Sequence, residues 1–183
     1  LKMGELLTRH SGVMDRYDPE RRVGLVVDEW GTWYDVEEGT NPGFLYQQNT
    51  MRDAIVAAIN LNIFNAHSER VCMANLAQAV NVLQALVLTE GEKCVKTPTF
   101  HVFDLYKAHQ DAALVYSHIE NDERDGLPCL SCSASAAADG TVTVTLSNCA
   151  LDRGYEVDLA AAFGGVKAAR GRILTGDAHA FND

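Results

Sequence analysis

An apolar run, Val23-Gly24-Leu25-Val26-Val27, ends without a turn on two carboxylates and a cluster of aromatics, Asp28-Glu29-Trp30-Gly31-Thr32-Trp33-Tyr34. Near-continuous apolar content over so short a stretch predicts a strand, Val23 to Glu29, in a parallel sheet covered on both faces. The sequence then supplies a helix. Met51, Ala54, Ile55, Ala58, Ile59, Asn62 and Ile63 recur at helical spacing, Asn49 or Thr50 can cap the start, and Asp53 suits the first turn. Arg70 to Leu76 reads as the next strand, so this stretch has the strand, helix, strand form of a βαβ unit.

Flanking segments extend the pattern. Leu1, Met3, Leu6 and Leu7 form one apolar face of a helix running to Arg16, and Tyr17 to Arg22 is a polar loop around Pro19. The loop from Asp35 to Gln48 is long and rich in turn residues (Gly39, Asn41, Pro42, Gly43). Thr97 as cap and Pro98 at the first helical position open a further helix, with Phe100, Phe103 and Tyr106 along one side. Beyond His109 the period changes from helical to alternating. Leu130, Cys132 and Ala134 alternate with serines, Val142, Val144 and Leu146 alternate with threonines after an Asp139-Gly140 turn, and Tyr155, Val157 and Leu159 alternate with acids. Such strands, each with one buried apolar face, are the material of an antiparallel β-sandwich. The fold class read from these patterns is α/β over residues 1–109 followed by all-β over residues 110–183.

The formal charge of −10, from 25 acidic and 15 basic residues, disfavours nucleic acid as a partner, since phosphate backbones are met by clustered lysine and arginine. No apolar run is long enough to cross a membrane and nothing at the start resembles a signal peptide. Five cysteines cannot all pair within one chain, so free thiols in a reducing cytoplasm are expected, with secretion left open by whatever precedes Leu1. Metal chemistry is not expected. The one CxxC, Cys129-Leu130-Ser131-Cys132, sits in an alternating strand that sends its sulfurs to opposite faces, and the six histidines show no paired ligand spacing. No cofactor is implied.

A glutamate at the exit of a buried strand, ringed by aromatics, is how sugar-cleaving barrels present a catalytic carboxylate. The segment Asp28 to Tyr34 resembles the nucleophile motif of glycoside hydrolase family 51, the α-L-arabinofuranosidases, whose usual form is Asp-Glu-Trp-Asn-x-Trp-Tyr, with Gly31 here in place of the asparagine. Asn65 to Val82 is similar to that family's next strand and the turn after it, and Thr97 to Phe103 to the start of its last barrel helix. Similarity fades after about Gln110 and returns weakly at Ile173-Leu174-Thr175-Gly176. The resemblance implies the last part of a (β/α)8 barrel, residues 1–109, followed by an incomplete β-sandwich domain, residues 110–183. A complete barrel takes about 250 residues, so the chain is expected to be the carboxy-terminal half of such an enzyme.

By resemblance, Glu29 is the nucleophile of a retaining arabinofuranosidase, Trp33 borders the sugar subsite, and Gln78 contacts arabinose hydroxyls. The family's acid/base glutamate stands in a Gly-Asn-Glu motif that this chain lacks; Glu69 and Glu90 read as solvated loop residues. Asp28 is expected to point away from Glu29 by strand alternation, Trp30 to pack, and Asn81 to lie one helical turn beyond Gln78 and support it. The implied partners are an arabinose-containing oligo- or polysaccharide, the missing amino-terminal half, and further copies in a homo-oligomer. Alone, the two strands are expected to leave open edges and the helix Met51 to Ile63 an uncovered apolar face. Two other readings remain: a non-catalytic sugar-binding or interaction module built on residues 113–183, weakened by its few aromatics (Tyr116, Tyr155, Phe163), and another family of retaining barrel glycosidases.

Overall fold

The structure is a computed structural model that describes residues 2–159, 166 and 168–182; the places of Leu1 and Phe163 in the readings above lie outside these residues. In chain order it contains α1 (Lys2–Tyr17), β1 (Leu25–Trp30), α2 (Met51–Ala66), β2 (Val71–Leu76), β3 (Val87–Glu90), β4 (Lys93–Lys96), α3 (Pro98–Tyr106), β5 (Ala113–Val115), β6 (Glu123–Arg124), β7 (Leu127–Pro128), β8 (Leu130–Ala136) and β9 (Val142–Asn148). The protein is thus mixed α/β, with small antiparallel sheets after one parallel pair.

β1 and β2 pair in parallel with α2 as the crossover. Leu25, Val27, Trp30, Ala74 and Leu76 turn toward the helices, where they join Leu7 of α1, Ala54, Ala57, Ala58 and Phe64 of α2, and Val102 and Tyr106 of α3 in one core. Trp30 anchors it, edge-on to Phe64 at 5.1 Å and stacked on Phe103 at 6.0 Å. Val26 and Met73 lie on the opposite face and are exposed, so only one face of this pair is covered by the chain itself. The continuous apolar run predicts cover on both. Gly24 is fixed by close approach: a Cβ there would stand 2.5 Å from Cys72 Sγ.

α2 is covered all round, contrary to the expectation of an open apolar face: none of its residues from Met51 to Asn65 is exposed. Its start is held by Asp53, whose carboxylate accepts from Thr50 N at 2.8 Å, and by the tail, since Met51 N and Arg52 N donate to Ala180 O and Ala178 O, each at 2.9 Å. Leu174 packs into the same core. The short stretch that returns weakly to the family pattern therefore lies beside the first turn of α2 rather than in a sheet. Arg70, buried before β2, ties β1 to α1: it donates to Asp15, to Asp18 Oδ2 at 2.8 Å and to Val23 O at 2.9 Å. The Arg70 hydrogen bond holds Asp15 below the usual carboxylate range, and the Val23 amide, with Arg70, does the same for Asp18.

β5, β8 and β9 form an antiparallel sheet in the order β5-β8-β9 around the Asp139-Gly140 turn. The alternating-strand expectation holds for Leu130 and Ala134 of β8, which are buried, and fails for the apolar residues of β9. Ser131, Ser133, Thr145 and Ser147 share one face, and it is this hydroxyl face that meets α2: Asn62 Nδ2 donates to Ser131 Oγ at 2.9 Å, Asn65 Nδ2 to Ser133 Oγ at 3.0 Å, and Thr145 Oγ1 to Asn62 Oδ1 at 3.1 Å. Paired polar groups make the contact, so it costs no unsatisfied donors there. Val142, Val144 and Leu146 on the other face are exposed. Tyr155, Val157 and Leu159 form no strand; Tyr155 and Val157 are half-buried and alternate with exposed acids, but no strand among the described residues pairs with them.

Candidate active site

Glu29 is exposed near the carboxyl end of β1, next to exposed Asp28. Pairing runs Val27 with Ala74 and then Trp30 with Leu76, so β1 carries one residue more than β2 across Asp28-Glu29. This is a β-bulge, and it breaks the alternation on which opposite orientations of Asp28 and Glu29 were expected. Both acids are exposed, while Trp30 is buried in the core.

The loop after Glu29 rests on a buried polar brace. Gly31 has φ +137°, and a Cβ there would meet the Gln84 carboxamide at 2.3 Å. Gln84 is almost fully buried; its Oε1 accepts from Thr32 Oγ1 at 3.1 Å and its Nε2 has no partner. Thr32 Oγ1 lies 2.6 Å from Asp53 Oδ1, also buried. Gln47, buried beside them, accepts from Tyr34 N at 2.9 Å, and the Arg52 guanidinium covers the Tyr34 ring at 3.7 Å. Thr32 and Tyr34 are held and Trp33 between them is left 58% exposed. Sequence reading missed Gln47 and Gln84, whose only signal was an amide in an otherwise apolar or turn-rich stretch, and saw Asp53 only as an acid in the first turn of a helix.

Gln78 is exposed just past the end of β2, after a cis peptide bond from Ala77, and Ala77 N donates to Trp30 O at 3.1 Å. That bond ties the end of β2 to the end of β1, so Glu29, near the end of β1, and Gln78, just past β2, lie at the same end of the sheet. The expected helix after Gln78 does not form: residues 77–86 are an irregular loop. Asn81 has φ +58° and serves β3 instead, accepting from Thr89 N at 2.7 Å and donating to Thr89 Oγ1 at 3.0 Å, so it is no support for Gln78. Glu69 and Glu90 are both exposed, Glu69 in a turn as read and Glu90, read as a loop residue, at the end of β3.

Two surface hollows, about 220 Å³ beside Met51, Pro98 and Phe181 and about 480 Å³ beside Tyr46, Asn81 and Lys93, include none of Glu29, Trp33 and Gln78 in their walls. Among the described residues no cluster of three or more histidine, cysteine or acidic side chains could hold a metal, and no helix is long and apolar enough to cross a membrane.

Residues 28–183 match the family model described as the alpha-L-arabinofuranosidase C-terminal domain. The chain is 42% identical over 180 residues, 96% of its length and 35% of the relative's, to an intracellular exo-alpha-L-arabinofuranosidase of Bacteroides ovatus. It is 28% identical over 152 residues to alpha-L-arabinofuranosidase C of Emericella nidulans, covering 76% of this chain and 30% of that one. Among solved structures, a GH51 arabinofuranosidase from Xanthomonas axonopodis pv. citri superposes with a TM-score of 0.75 at 55% identity over 80% of this chain and 30% of that one. An alpha-L-arabinofuranosidase of Thermotoga maritima in complex with arabinose gives 0.67 at 26% identity, covering 79% and 33%. The chain spans about a third of the length of the curated relatives it matches. It belongs to the α-L-arabinofuranosidase C-terminal domain family and corresponds to the carboxy-terminal portion of a glycoside hydrolase family 51 enzyme.

Proposed function

We propose that these residues carry the nucleophile of a retaining α-L-arabinofuranosidase that releases terminal arabinofuranose from arabinan, arabinoxylan or their oligosaccharides. The observation that carries this reading is the bulge at Asp28-Glu29, which ends a parallel strand on an exposed carboxylate at the same end of the sheet as Gln78. In a (β/α)8 barrel that end is where substrate-facing loops gather. Residues 1–109 would supply the last strands and helices of such a barrel, with exposed Val26 and Met73 on its inner face, and residues 110–183 part of a β-sandwich. Arabinose in the Thermotoga maritima relative supports the sugar class.

Glu29 would attack the anomeric carbon and form a covalent arabinosyl ester. A second carboxyl, about 5 to 5.5 Å away, would protonate the leaving oxygen and then activate water. With Glu69 and Glu90 unsuited, that acid/base is proposed to come from outside these residues, and the assembly to be cytoplasmic and homo-oligomeric. Trp33 would cover the apolar face of the furanose, and Gln78 would offer donors and an acceptor to its hydroxyls.

Replacing Glu29 by Ala in the intact enzyme tests the assignment. Turnover of an aryl α-L-arabinofuranoside should nearly vanish, and azide should restore it with an arabinosyl azide of inverted configuration, because azide then attacks the face that Glu29 occupied. Substantial azide-independent hydrolysis would remove Glu29 from the role.

A further inference from the structure

Cysteines that the mechanism does not use meet at one end of the β8–β9 hairpin. Leu130 and Asn148 are the last directly opposed pair of that ladder, so Cys129 and Cys149 face each other one step beyond it. Cys149 N donates to Cys129 O at 2.7 Å. Residues opposed in this way have Cα atoms about 5.5 Å apart, inside the roughly 4.4 to 6.8 Å range that a disulfide spans. Cys132, the other half of the CxxC, opposes Leu146 on the other face of the sheet and is turned away from Cys149.

The surroundings favour sulfur chemistry at this pair. Arg153 follows closely after β9; its guanidinium donates to Asp122 Oδ2 at 2.7 Å and stands 5.0 Å from the centre of the Tyr155 ring. Arg153 also lies against Cys129, and that contact is the first cause of its raised pKa. The Tyr155 hydroxyl is buried there beside Cys129 and Arg153. Cys129 is buried, whereas Cys149 is half-buried and reachable from solvent. Burial, then the neighbouring Cys129, pushes the Cys149 thiol up, so alkaline pH is needed to raise its thiolate fraction.

We propose that Cys129 and Cys149 are a redox-modifiable pair that closes to a cross-strand disulfide when the protein meets a peroxide. Cys149 releases its proton and, as its thiolate, attacks one peroxide oxygen; the O–O bond breaks, Cys149 becomes a sulfenic acid, and the departing hydroxide takes up the released proton as one water. The Cys129 sulfur then attacks the Cys149 sulfur, the S–O bond breaks, and hydroxide departs as water with the Cys129 proton. Two thiols are oxidised by two electrons and one peroxide is reduced to two waters. Arg153 lies against the attacking Cys129 sulfur.

The test is hydrogen peroxide on the intact protein at mildly alkaline pH, followed by alkylation and trypsin. The tryptic peptide Asp125–Arg153 contains Cys129, Cys132 and Cys149, so it reports all three thiols at once. Before oxidation all three should alkylate in denaturant. After oxidation Cys132 alone should, the peptide should be lighter by two hydrogens, and a reductant should restore both lost thiols. Cleavage before Asp139 should leave the two pieces joined. Cys132→Ser should oxidise like the parent. Three alkylatable thiols after peroxide, or a bridge that includes Cys132, would overturn the proposal.

Discussion

The Gln84 carboxamide fills the space that a side chain on Gly31 would need, with its Cδ and Oε1 each 2.3 Å from where the Cβ would stand. This explains the glycine at the one position of the nucleophile motif that departs from the usual pattern. Two separate costs attach to Gly31→Ala, overpacking against Gln84 and a φ of +137° that side chains avoid, each worth about 1 to 3 kcal/mol. The variant should melt several degrees lower and lose kcat, because Thr32 and Trp33 follow directly. Adding Gln84→Ala should recover the steric part and leave the backbone part, which thermal melts of both singles and the double variant will separate.

Trp33→Ala should behave differently. With its ring 58% exposed while Trp30 carries the packing, truncation should leave the melting temperature nearly unchanged and lower kcat/KM by ten-fold or more through lost sugar positioning. Melting curves and initial rates on one preparation check this, and a lowered melting temperature with a normal rate would contradict it.

His109 sets an acid limit on the contact between the helices and the hydroxyl-faced sheet. Its Nδ1 lies 2.7 Å from Ser135 Oγ and its Nε2 3.2 Å from Thr145 Oγ1, and burial lowers its pKa below the ordinary 6.5. The folded state thus binds this proton less readily than the unfolded chain does. Stability from this group is complete above pH 6.5 and is lost as pH falls toward the folded pKa. Melting temperature measured from pH 7.5 down to 5.5 should fall less in His109→Gln than in the parent.

Much of the fold could be read because local and tertiary signals agree there. The crossover helix, both parallel strands and the Thr97-Pro98 helix start follow from apolar period and capping chemistry, and they form where the sequence puts them, the strands and helix starts within two residues and the end of the crossover helix within three. The hydroxyl face of β8 and β9 could not be read, because alternation identifies two faces but not which one meets a neighbour. Asn62 and Asn65 decide it from 68 residues or more away in sequence. Likewise the bulge at Asp28-Glu29 depends on pairing with β2, and the Gln84 brace on a loop that looks helical by composition. At the candidate site, Glu29, Trp33 and Gln78 were recognisable by resemblance, whereas the residues that hold their loops were not.

Covalent capture tests the assignment of Glu29 most directly. An activated 2-deoxy-2-fluoro-α-L-arabinofuranoside reacts through its good leaving group, while the fluorine slows hydrolysis of the glycosyl ester, so a true nucleophile is trapped. The intact enzyme should gain the mass of one fluoroarabinosyl group, and tandem mass spectrometry of the tryptic peptide Val23–Arg52 should place it on Glu29 rather than on Asp28, Glu37 or Glu38. A label on any other carboxylate, or burst-free turnover with no trapped ester, would contradict the account.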